Sequence, residues 1–141
     1  MNIIASHENH IVLNFARGEE LLETLLEFCK EKNIIGATLT GLGAGDSMTL
    51  AYYNLATKSY ERHEIAEEVE ILSLTGNLGA LNGKNMLHIH GVFGRRDLST
   101  FGGHIFSLRV SGACEIHLTT LDVPLHRLHD EATGLNLLCE G

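Results

Sequence analysis

Apolar positions recur at two different periods along this chain, and the change from one to the other marks its organisation. His10-Ile11-Val12-Leu13-Asn14-Phe15 reads as a first strand closed by Arg17-Gly18. Over 19–32, Leu21, Leu22, Leu25, Leu26, Phe28 and Cys29 return at helical spacing and predict one amphipathic helix. Its acidic start, Glu19 and Glu20, and its basic end, Lys30 and Lys32, complement the backbone dipole, and Asn33 supplies a stop. From Ile34 onward the pattern shortens to β-type runs at 35–40, 48–54, 59–65, 69–75, 86–93 and 114–121. Leu55-Ala56-Thr57-Lys58 has the length of a hairpin connection, and Asn82-Gly83-Lys84-Asn85 has turn residues. Residues 101–110 fit strand and helix periods equally poorly. After the single proline, Pro124, a polar tail runs to Asp130, with His126 and His129 reading as exposed, and Leu135, Leu137 and Leu138 return to the body. No connection is long enough to hold a linker, so residues 1–141 form one domain.

Composition narrows the class. At 141 residues with 44% of positions hydrophobic, the chain has the size of one domain that buries roughly two-thirds of its unfolded surface. A net charge of −8 repels phosphate backbones, and no Lys/Arg run offers counterion release, so autonomous nucleic-acid binding is not expected. Arg95-Arg96, followed by Asp97, is the densest basic point and reads as a solvated turn. No stretch approaches the ~20 apolar residues of a membrane span, and the amino terminus has neither a basic region nor a long apolar run. Cys29, Cys114 and Cys139 form no C-x-x-C pair and read as buried thiols in a reducing compartment. A cytoplasmic location is the expectation.

The chemistry concentrates in Leu87-His88-Ile89-His90-Gly91-Val92. On a strand, the period of two sends both imidazoles to one face and Leu87 and Ile89 to the other. Gly102-Gly103 lets a loop bring His104 toward them. Three neutral imidazoles with an open fourth position match the way zinc and its neighbours are held for chemistry. From the residues alone, a second reading stands beside that one: polar strand residues facing water or a subunit interface. Gly41-Leu42-Gly43-Ala44-Gly45-Asp46 imitates a phosphate loop but leads into a strand pattern instead of a helix, so it reads as a glycine-rich bend between strands. Glu61, Glu64, Glu67, Glu68 and Glu70 crowd around His63 as a solvated face, with Glu70 the one candidate to turn inward as a fourth ligand or a base. Tyr52 and Tyr53 alternate faces, which places one in the core and the other along a groove. Ser73, Ser107 and Ser111 belong to no visible hydrolase triad.

At Leu87-His88-Ile89-His90 and Phe101-Gly102-Gly103-His104-Ile105 the chain resembles the plants-and-prokaryotes conserved (PPC) domain, which in plants accompanies AT-hook DNA-binding motifs. Gly18-Glu19-Glu20, Val69-Glu70-Ile71-Leu72-Ser73-Leu74-Thr75-Gly76 and Thr133-Gly134-Leu135-Asn136-Leu137-Leu138 share the resemblance in the same order. It implies a free-standing, compact α/β domain of the α+β type, mainly antiparallel sheet flanked by a few helices, assembled as a homotrimer. It further implies a divalent metal, zinc foremost, on His88, His90 and His104, and a fold like that of acetolactate decarboxylase. Two departures stand out: no AT-hook occurs, and the strand motif that plant members begin with glycine, arginine and phenylalanine reads Glu67-Glu68-Val69.

Two functional expectations follow. One is a non-enzymatic trimeric binding or assembly module whose metal is structural or a ligand anchor, with a regulatory role tied to DNA resting on kinship alone. The other is a metal-dependent enzyme, lyase- or decarboxylase-like, acting on a small anionic metabolite. In it Arg95, Arg96 or Arg109 would hold the substrate's charge and Glu70 would carry a proton.

Overall fold

The computed structural model describes residues 1–140 as ten elements. In chain order these are β1 (Asn2–His7), β2 (His10–Ala16), α1 (Leu21–Glu31), β3 (Gly36–Asn54), β4 (Ser59–Ile65), β5 (Val69–Leu81), β6 (Lys84–Gly94), β7 (Thr100–Leu121), β8 (His126–Asp130) and β9 (Leu135–Leu138). The sheet runs β1-β2-β7-β3-β5-β8-β9, with β4 added to β3 and β6 pairing with both β5 and β7. Every pairing is antiparallel except β5 with β8. The pairings β3–β5, β5–β6, β6–β7 and β7–β3 close a circuit, so these strands wrap around a shared interior. One helix accompanies the sheet, where the family resemblance implies a few.

That circuit demands long, bent strands, and the sequence supplies them where periodicity suggested breaks. β3 is 19 residues and β7 is 22 residues, both well beyond the ordinary strand. The ambiguous run at 101–110 and the run at 114–121 are therefore one strand. Likewise Gly41 to Gly45 is no bend between strands but the middle of β3, where the register against β7 shifts between Gly43 and Gly45 and again between Gly45 and Ser47. A β-bulge of this kind kinks a strand without ending it. At Gly43 a Cβ would lie 2.3 Å from the carbonyl oxygen of Ala113, so only glycine lets β3 and β7 approach there.

α1 begins at the acidic pair, two residues inside the expected start at Glu19. Glu20 is the cap: its Oε2 accepts from the Glu23 amide at 2.6 Å, and its Oε1 accepts from the Leu108 amide at 2.8 Å. One carboxylate thus caps the helix and ties it to β7. Glu19 accepts from the Ala16 amide at 2.7 Å and from the chain's amino-terminal ammonium. Asn33 takes the left-handed conformation that stops the helix. Leu21, Leu25, Phe28 and Cys29 bury the inner face against the sheet.

Two cysteines sit in that core. Burial pushes the Cys29 thiol up to about 11 and the Cys114 thiol up to about 12, whereas Cys139 is half-buried, not enclosed as its sequence context suggested. Thiols react as thiolates, and a group near 11 holds roughly one thiolate in a thousand at pH 8. Brief iodoacetamide treatment of native protein is expected to add one adduct per chain, on Cys139, by mass spectrometry. Equal labelling of all three would contradict the burial of the other two.

The carboxy-terminal tail folds as the β8–β9 hairpin, and β8 joins β5 through Ala80↔His126 and Leu81↔Arg127. Its alternation is inverted with respect to polarity. Arg127 is 6% exposed while Leu128 beside it is 62% exposed, because the inward position faces polar groups of β5 and β6.

Candidate metal centre

β6 does what its period of two predicts: Ile89 enters the core at 1% exposure and the imidazoles of His88 and His90 emerge on the opposite face. His104 reaches them from β7, not from a loop, by direct cross-strand pairing with His90. At Gly102 an added Cβ would lie 2.4 Å from the Gly91 carbonyl oxygen, so the tight seam between β6 and β7 depends on that glycine.

The three rings form a nearly equilateral triangle, with centroids 5.1 Å apart for His88–His90, 5.1 Å for His88–His104 and 5.2 Å for His90–His104. One ring nitrogen from each lies within 4.8 Å of the others. The Nε2 atoms of His88 and His90 are 3.2 Å apart. Two nitrogens bound tetrahedrally to one ion at about 2.05 Å would stand roughly 3.3 Å apart, so this pair already has the spacing of shared coordination. His104 Nδ1 is buried with no hydrogen-bond partner, a buried polar atom that costs stability until it gains a hydrogen-bond partner or an ion. The donor set therefore fits a divalent ion.

Electrostatics keeps these donors in their ligating form. Burial holds His104 down to about 4, with His88, His90, Arg127 and Arg62 adding repulsion. His88 is lowered by burial, then by Arg127 and His90, and His90 is lowered by burial. All three are neutral at pH 7, as metal ligands must be.

Around the triad lies a cavity of about 540 Å³ roofed by β4 and by the β8–β9 hairpin. Tyr60 stacks at a tilt 4.9 Å from His104 and Phe106 meets it edge-on at 4.8 Å. Tyr52 and Tyr53 both line the cavity and neither enters the core, so their alternation separates two parts of one wall. Tyr53 donates its hydroxyl to the Thr133 carbonyl at 2.7 Å and Lys58 donates to the Glu131 carbonyl at 2.6 Å, which fastens the hairpin over the site.

Arg127 is the site residue that sequence reasoning missed. It donates to the Asn136 carbonyl at 2.8 Å, to Asn77 Oδ1 at 2.8 Å, and faces His88 Nδ1 at 3.3 Å. Nothing in the alternation around it marks it, since its apolar neighbour Leu128 points outward. The other proposed ligand-binding residues lie elsewhere. Arg95 pairs with Glu67 at 2.8 Å and covers the Phe101 ring, Arg109 pairs with Asp46 at 2.7 Å, Arg96 is exposed, and Glu70 is an exposed β5 residue opposite Gly94. None of the four lines the cavity. The acidic run around His63 is solvent-facing apart from the half-buried Glu67.

A model of the Plants and Prokaryotes Conserved (PCC) domain matches residues 4–122. The chain belongs to this family. Among solved PCC-like structures, a candidate DNA-binding protein from Bacteroides thetaiotaomicron is 32% identical with a TM-score of 0.92, covering 96% of this chain and 94% of that one. A protein described as metal-containing, from Archaeoglobus fulgidus, is also 32% identical, with a TM-score of 0.86 and 99% of each chain covered. A plant- and prokaryote-conserved protein from Pyrococcus horikoshii is 28% identical, with a TM-score of 0.87, over 96% of this chain and 94% of that one. The likeness to acetolactate decarboxylase from Bacillus subtilis is one of fold alone, at 15% identity and a TM-score of 0.57 over 78% of this chain and 52% of that one. No curated protein matches the sequence. Among the described residues, no helix is long and apolar enough to cross a membrane.

Proposed function

We propose that this PCC-domain protein is a homotrimeric binding module built around a divalent ion, zinc by the character of its ligands, on His88, His90 and His104. The observation that carries the reading is the triangle of imidazole rings 5.1, 5.1 and 5.2 Å apart that lines a ligand-sized cavity. The metal-containing relative from Archaeoglobus fulgidus supports it. Elemental analysis of protein purified without affinity tag or chelator is expected to return about one divalent ion per chain, and a metal content near zero together with no uptake of added zinc would sink it.

The trimer rests on kinship, and light scattering on the eluting peak should give three chains per particle. A stable monomer at micromolar concentration would contradict it. We place the protein in the cytoplasm, a reading that the three free cysteines support. The Bacteroides relative's description raises a role at DNA, and the net charge of −8 argues against unaided binding. Fluorescence anisotropy with an AT-rich duplex at low salt is expected to stay flat, and a saturating rise would overturn that expectation.

A second reading, a metal-dependent lyase or decarboxylase acting on a small anionic metabolite, is favoured by one feature: the three histidines that would hold an ion also line the cavity, so a ligand there could reach it. An ion held there would act as a Lewis acid and lower the pKa of bound water toward neutrality. The chain's own part would be to orient the ligand, through Arg127 and the tyrosine wall, and to exclude water with the β8–β9 roof. Turnover of any member of a panel of 2-oxo and 2-hydroxy acids by zinc-loaded protein supports this reading, and none across the panel removes it while leaving the module intact.

A further inference from the structure

The charges inside the cavity do not balance. Among the described residues that line it, none is acidic, while Arg127 is 94% enclosed. None of the three groups in contact with the Arg127 guanidinium is an anion: they are the Asn136 carbonyl, the Asn77 side-chain oxygen and the His88 ring. Arg62, whose guanidinium lies 3.9 Å over the Phe106 ring, is exposed and outside the lining, which leaves Arg127 as the one guanidinium among the described lining residues. Buried cations elsewhere in proteins are paired with anions because an uncompensated charge in a low-dielectric interior is costly. A divalent ion on three neutral imidazoles would deepen the imbalance, in a chain whose overall charge is −8.

We propose that the missing counter-charge arrives with the ligand, and that the cavity is a receptor for a small carboxylate carrying a compact apolar substituent. The carboxylate would lie alongside the histidine triad and the Arg127 guanidinium, which already touch through His88, and the substituent against Met86, Phe106, Leu135 and Leu137. Chemistry favours a carboxylate over a phosphate. The lining offers one guanidinium, no lysine and no helix N-terminus, whereas a phosphate dianion is ordinarily met by several such donors. Apolar surface with a few convergent polar groups is the usual make-up of a small-molecule site. Arg127 thus takes the role that sequence reading assigned to Arg95, Arg96 or Arg109. The inference rests in part on the metal reading, since an ion would supply the second positive pole, but Arg127 stands without it.

Calorimetry tests it with isovalerate, its uncharged isostere isovaleramide and inorganic phosphate, each titrated into wild type and Arg127→Met, with and without one equivalent of cobalt(II). Isovalerate is expected to bind wild type at least about tenfold tighter than isovaleramide or phosphate, and Arg127→Met to lose about tenfold of that affinity. Equal binding of acid and amide, tighter binding of phosphate, or an unchanged Kd in Arg127→Met would overturn the proposal. If Arg127→Met does not fold, the comparison of acid with amide in wild type decides by itself. Cobalt uptake, followed by equilibrium dialysis, scores the metal reading separately. Acid-selective binding to protein that takes up no cobalt would uphold the carboxylate receptor and reject the ion, and cobalt uptake without acid selectivity would do the reverse.

Discussion

Replacing both β6 histidines, as His88→Ala/His90→Ala, is expected to abolish metal binding while leaving the fold intact. The two side chains emerge on the face opposite the core, where His90 is exposed and His88 half-buried, so their removal opens no interior cavity. What they contribute is the Nε2 pair 3.2 Å apart, a spacing that suits two ligands of one ion. Loss of residues that merely orient ligands costs roughly 10–100-fold in metal affinity, so loss of two of three ligands is expected to cost more than about 100-fold. Metal content after dialysis should drop to background, with the far-ultraviolet circular dichroism spectrum unchanged. His104→Ala should show a weaker version of the same loss with a larger stability cost, because His104 is only 8% exposed and packs between Tyr60 and Phe106. Full metal retention by the double variant would mean that the triangle of rings is not the metal site.

The second large effect is expected at a residue with no side chain. In Gly102→Ala the new Cβ would stand 2.4 Å from the Gly91 carbonyl oxygen, and the obstruction is backbone, which cannot swing aside as a flexible side chain would. β6 and β7 must separate where Gly102 pairs with Val92, two residues along the ladder from the His90–His104 pair. Gly102 is exposed, so the cost comes from the backbone obstruction alone; overpacking costs typically about 1–3 kcal/mol, and an obstruction by main chain belongs at the upper end of that range. For a domain of this size that corresponds to a fall in Tm of roughly 10 °C. Metal affinity should fall with it, since the seam that brings the third imidazole to the other two has opened. Gly112→Ala is the matched control: its Cβ would meet only the Ala44 side chain, at an ordinary 3.7 Å, and should leave both Tm and metal content within error. A Gly102→Ala protein as stable as wild type would show that the seam can relax without cost.

Much of this molecule is legible in one dimension. The spacing of Leu21, Leu25, Phe28 and Cys29 defines α1, and the acidic pair before it defines its start to within a residue or two, because a helix buries one face at a fixed period. The alternation across Leu87 to Val92 determines that His88 and His90 share a face, whatever strand lies beside them. Together with His104 and the spread of similar segments, this is enough to point to the family.

Where glycines interrupt the pattern, the one-dimensional reading fails in a consistent way. Gly41, Gly43 and Gly45, and Gly102 and Gly103, look like bends between short strands, yet each set lies inside a long one. The cause is that a glycine can mark a turn or a close approach of two backbones, and only the partner strand tells them apart.

Periodicity along a strand decides which residues share a face; it carries no information about which strands become neighbours. The chain alone therefore determined the helix, the β-rich remainder, the common face of His88 and His90, and the acidic surface. Tertiary structure decided that β7 would bring His104 against His90, that β8 would turn Arg127 inward and leave Leu128 to solvent, and that Arg95, Arg96, Arg109 and Glu70 would stay away from the cavity. Those outcomes depend on the closed circuit of β3, β5, β6 and β7, whose partners lie up to several dozen residues apart and are selected by how the whole sheet can close around one core.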